Sequence, residues 1–120
     1  MTYPTIVVTI SSLDKGTVPS VTESITVKPG GAFDVNVTWP EAKNEITCTM
    51  QFIDGTEDPI NDNVDGTTEF QMTRKNAKHS ATNTLGINRN ASTGTDIYTL
   101  TLTVNGNKYS SDPRIIVDDD

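Results

Sequence analysis

One cysteine, one histidine and one tryptophan in 120 residues close off several kinds of chemistry at the outset. Cys48 has no second cysteine for an internal disulfide, and with no C-x-x-C and no histidine pair the chain carries no zinc ligand set. His79 with Ser80 beside it is the nearest approach to a nucleophile and its base. Neighbours on an extended chain point apart, however, and no G-x-S-x-G turn is present, so no enzyme is expected. Basic residues are also scarce, 9 against 16 acidic ones, for a net charge of −7. That balance argues against nucleic acid and against anionic membranes, both of which need a positive face. No apolar run approaches the roughly 20 residues of a membrane-spanning helix, so no membrane insertion is expected. The opening MTYPTIVVTISS lacks a basic n-region and alternates, unlike a signal peptide. Either the protein works without a Sec signal, in a virion or the cytoplasm, or Met1 is not the natural start and the protein is secreted or on a cell surface.

What the chain has instead is alternation. Hydrophobic residues make up only 33%, so a core must be assembled economically, one residue in two along strands. Ile6, Val8 and Ile10 share a face, and after turn chemistry at Asp14-Lys15-Gly16 and Pro19 the chain resumes with Ile25 and Val27. These read as two halves of an edge strand, divided between sheets. Phe33, Val35, Val37 and Trp39 alternate next, then Ile46, Cys48, Met50 and Phe52, then Phe70 and Met72 in residues 67–73. Leu85 and Ile87 repeat the spacing, and Tyr98, Leu100, Leu102 and Val104 give the longest run, closed by Asn105-Gly106 into a hairpin. A last strand, residues 108–117, contains Pro113, which should break it and place it at a sheet edge. No ten-residue stretch has helical periodicity. The length suits one domain over residues 1–120.

Ile87 stands eleven positions before Tyr98, across a polar loop containing Gly94. This resembles the corner between strands E and F of an immunoglobulin-like domain, where a tyrosine opens strand F two residues before a core position, here Leu100. The resemblance implies an all-β fold, a two-sheet antiparallel sandwich of seven to eight strands. Residues 33–39, 46–52, 67–73 and 98–104 would be its strands B, C, D and F. The sequence departs from the antibody pattern in two ways: no cysteine pair joins the sheets, and Trp39 ends strand B where antibodies carry a tryptophan on strand C. Domains of similar look occur on phage particles and bacterial surfaces. The function implied is that of a non-catalytic binding or structural module of a surface, appendage or virion assembly. A protein partner would meet its loops or an edge strand, either at residues 6–10 or at 115–117.

Chemistry, if any, falls to the loops. Residues 54–66, DGTEDPINDNVDG, hold five carboxylates. Asn61, Asn63 and Asp65 before Gly66 follow the alternate spacing of a calcium loop, with Asp54, Glu57, Asp58 and Asp62 available nearby. Met72 stands where such a loop carries its bidentate glutamate, and the same residues also make an ordinary solvated turn. The calcium reading leads to an alternative function, a calcium-dependent carbohydrate-binding module with Tyr109 as its exposed aromatic. Arg74, Lys75, Lys78 and His79 form a small basic group for an anionic partner. Glu57, Asp62, Arg74, Lys75, Lys78 and Tyr109 are therefore the candidate partner-binding residues.

Overall fold

The computed structural model describes residues 3–40, 45–53, 56–73, 80–104 and 106–119, and among them every regular element is a strand. The elements are β1 (Thr5–Thr9), β2 (Ser20–Val21), β3 (Ser24–Val27), β4 (Ala32–Thr38), β5 (Glu45–Phe52), β6 (Thr67–Thr73), β7 (Ser80–Gly86), β8 (Gly94–Val104), β9 (Asn107–Ser111) and β10 (Arg114–Val117). They form two sheets packed face to face. The smaller has the order β2-β1-β4-β7; the larger runs β3-β10-β8-β5-β6, with β9 also paired to β8.

The alternation read from the sequence sets which side of each strand is buried. Phe33, Val35 and Val37 of β4 lie in one apolar cluster with Ile46, Cys48 and Met50 of β5 and Tyr98, Leu100, Leu102 and Val104 of β8. Trp39, just past β4, is 2% exposed and caps the cluster at that end. The intervening threonines face outward, where a β-branched side chain suits the pleated surface.

Several expectations require correction. The sandwich is not purely antiparallel: β1 runs parallel to β4, with Ile6 opposite Val35 and Val8 opposite Val37, and β3 runs parallel to β10. The two halves of the first strand do divide between sheets, β1 in the smaller and β3 in the larger. Ten strand segments stand where seven or eight were expected, because β2 is separate and Asp112-Pro113 splits the last strand into β9 and β10. Neither expected edge is free along its length. β1 is covered by β2 at Val8 and Thr9, with the Thr22 N–H reaching the Val7 carbonyl, and β10 lies between β3 and β8 over Arg114–Val117. Residues 67–73, expected as strand D, pair with β5 across the register Glu45–Thr73 to Gln51–Thr67. Among the described residues no strand then pairs with the outer side of β7.

Tyr98 shows where the tyrosine resemblance stops. Its ring packs on Phe52, centroids 5.2 Å apart, but its hydroxyl is buried with no hydrogen-bond partner among the described residues. Burial chiefly, with the nearby Cys48 thiol adding to it, pushes the Tyr98 hydroxyl far above the usual phenol range. A buried hydroxyl without a partner is a net cost, so Tyr98→Phe is expected to raise the unfolding free energy by about 1 kcal/mol in urea titrations. A loss of stability would show that the hydroxyl is bonded.

Candidate functional site

Two places bring polar side chains together. The first is the acidic turn at one end of the sandwich, which held most of the candidate residues. Asp58 is tied into the turn by both oxygens: Oδ1 accepts the Ile60 N–H at 2.9 Å and Oδ2 the Thr68 hydroxyl at 3.1 Å. Asn63 donates through Nδ2 to the Ile60 carbonyl at 2.9 Å, and its Oδ1 accepts the Gly66 N–H. Asp62 and Asp65 have φ of 64° and 52°, left-handed values that aspartate tolerates in turns. Asn61 donates its backbone N–H to the Gly86 carbonyl, docking the turn against the end of β7. The structure thus gathers Glu57, Asp58, Asn61, Asp62, Asn63 and Asp65 into one segment, with Asp58 and Asn63 bonded to the turn itself. Among the described residues no group of three or more His, Cys, Asp or Glu side chains is placed to hold a metal ion. Asp54, Arg74, Lys75, Lys78 and His79 lie outside the described residues.

One member of this end was not found from the sequence. Asp96, on the otherwise inward side of β8, is 7% exposed; its Oδ1 accepts the Glu57 N–H at 3.2 Å, while Oδ2 is buried without a partner among the described residues. Glu57 in turn accepts the Ser92 N–H at 3.2 Å. Burial raises the pKa of Asp96, the Glu57 N–H pulling against it and the Glu57 carboxylate adding to the rise. Asp58 is raised by burial too, opposed by its bonds from Ile60 and Thr68 and reinforced by Asp96 and Glu57.

The second place was also missed. On the outer side of the larger sheet, β5, β8 and β9 lay hydroxyls in register: Thr47 opposite Thr103 and then Lys108, Thr49 opposite Thr101 and then Ser110. With Gln51 and Glu69 they line a shallow depression of about 440 Å³. Thr101 and Ser110 share a hydrogen bond of 2.9 Å, and Thr49 donates to Glu69 Oε2 at 3.4 Å. The side chains of Thr47, Gln51, Thr103 and Lys108 take no hydrogen-bond partner among the described residues. They present donors and acceptors from rigid strands. The signal was in the sequence, as the outward half of the same alternation that identified the core.

Tyr109 must be corrected. It is 3% exposed, with its hydroxyl donating to the Leu13 carbonyl at 2.5 Å, and so ties β9 to the first loop instead of offering a ring to a ligand. Cys48 lies inside the core as expected, its thiol pushed up to about 12 by burial. The chain matches no known family model and no curated protein sequence.

The acidic end has a consequence for stability against pH. Folded Asp58 and Asp96 hold their protons to higher pH than in the unfolded chain, so stability falls as pH rises through their native pKa values and is regained on acidification. Asp96→Asn is therefore expected to raise the melting temperature at neutral pH. The gain should shrink as the pH approaches the ordinary aspartate value of about 4. A gain independent of pH would show that packing, and not charge, is responsible.

Proposed function

We propose that the chain is a non-catalytic binding or structural module of immunoglobulin-like design. Its working surface is the concave outer face of the larger sheet, and its partner is another protein of a surface, appendage or virion assembly. The immunoglobulin-like reading is supported by the distribution of strands. β4 and β7 share one sheet while β5, β8 and the β9–β10 pair share the other with β6 beside β5, as strands B and E, and C, F and G with C′, do in that class. The observation that carries the binding reading is the depression itself, lined by Thr47, Thr49, Gln51, Glu69, Thr101, Thr103, Lys108 and Ser110. Side chains on paired strands lose little freedom on binding, so such a face is preorganised.

A photo-reactive residue at Thr103 is expected to cross-link one protein in the organism that makes this chain. The same residue at Val18, which is 70% exposed on a loop, should not. The cross-link should disappear in Thr49→Arg. Equal products from both positions would contradict the proposal.

The alternative, a calcium-dependent carbohydrate-binding module, loses its aromatic with Tyr109 buried, and Asp58 and Asn63 already serve the turn. Millimolar calcium is therefore expected to leave the melting temperature unchanged, whereas a ligand of the native state alone would raise it.

A further inference from the structure

The exposed edge of β7 stands apart from the other sheet edges. Among the described residues β7 pairs only with β4, with Phe33 opposite Leu85 and Val37 opposite Ala81. The Ile87 N–H donates to the Gly31 carbonyl in the same register, which fixes the phase of the ladder. Leu85, Asn83 and Ala81 therefore turn their backbone groups toward β4, and Thr84 and Thr82 turn theirs away. The Gly86 carbonyl, pointing outward in the same phase, is taken by the Asn61 N–H. Beyond that one contact the outward groups of Thr82 and Thr84 meet no backbone partner among the described residues. Their side chains are held on the sheet surface, where Asn36 donates to the Thr82 hydroxyl and the Thr84 hydroxyl to Asp34.

The strand reads SATNTLG, with no charge and no proline, in a chain of net charge −7. Natural edges are guarded by charge, proline or shortness. β6 carries Glu69 and β9 carries Lys108, while β3 and β2 are only four and two residues long. β7, at seven residues, has none of these guards. Its inward side is also incompletely covered: Ala81 and Leu85 are only partly buried against the core, as is Phe70 of β6, which lies near β7.

We propose that β7 is a self-association edge, pairing antiparallel with β7 of a second copy of this chain and joining the two smaller sheets into one. This goes beyond the concave-face reading and does not rest on it, since β7 belongs to the other sheet. Strand self-complementarity argues for a second copy as the occupant. A two-fold axis at Asn83 sets Thr82 against Thr84 of the second copy, exchanging their outward N–H and C=O groups in four hydrogen bonds. It also sets small Ala81 against large Leu85 of the second copy. No pairing along the strand brings two charges together, and facing threonines are favourable cross-strand partners. The interface is isologous, so association closes at the dimer. With few bonds it is a concentration-dependent one, appearing on the order of hundreds of micromolar.

The test is sedimentation of the full chain over a concentration series, combined with amide hydrogen exchange. A dimer is expected to form with concentration, and the Thr82 and Thr84 amides to slow in step with it while those of Ala81 and Asn83 stay protected throughout. Thr82→Pro removes an outward donor without touching the β4 ladder, and Asn83→Lys places a charge at the seam. Both are expected to lose the dimer with their melting transitions intact. Should one fail to fold, the other variant and the wild-type exchange data decide. A chain that stays monomeric, Thr82 and Thr84 amides indifferent to concentration, or a dimer that survives both substitutions would overturn the proposal.

Discussion

The pairing of β5 with β8 is the constraint from which the rest of the molecule follows. Its register, Thr47 to Thr103 through Phe52 to Tyr98, sets every second residue of both strands into the core and every other one onto the outer surface. Cys48, Met50, Leu100 and Leu102 are fully buried on the inner side. A slip of one residue would exchange these for threonines and empty the core. The same register lays down the rows of hydroxyls outside. Core and candidate binding face are two sides of one arrangement, and neither can be changed in register without the other.

Polar groups inside the sandwich sit where they cost stability. Asp96 and the Tyr98 hydroxyl each leave an atom without a partner among the described residues, and the two residues lie two positions apart on the inward side of β8. Cys48 adds a thiol that burial keeps protonated, so its contribution is that of a small apolar side chain. At the open end, Glu57 and Asp58 crowd round Asp96, and repulsion among the carboxylates adds to the cost of burial. The turn compensates through its own hydrogen bonds, those of Asp58 to Ile60 and Thr68 and of Asn63 to Ile60.

The core was legible because its signal is local. A period of two over residues 33–39, 46–52 and 98–104 states which side chains turn inward, and all of those apolar residues are buried. Strand partnership is not local. Residues 67–73 have the same pattern whether they lie beside β5 or beside β7, and nothing within them decides between the two. The direction of β1 relative to β4 was hidden for the same reason: Ile6 and Val8 fill the core equally well in either sense. Tyr109 reads alike as a core residue or an exposed ring, and only the Leu13 carbonyl within reach of its hydroxyl distinguishes them. The hydroxyl face is not distinguished in the sequence, because threonines between the apolar residues of β5 and β8 read alike as the ordinary outer surface of a half-buried strand or as a binding face.

Amide hydrogen exchange in the native state measures the central pairing most directly. Every amide of the middle of β5 and β8 lies between paired strands, so those of Thr49, Gln51, Thr99 and Thr101 are expected to be among the slowest in the chain, exchanging only when the whole domain unfolds. Fast exchange at these positions, with the slowest amides found in β1, β2 or β3, would contradict the account.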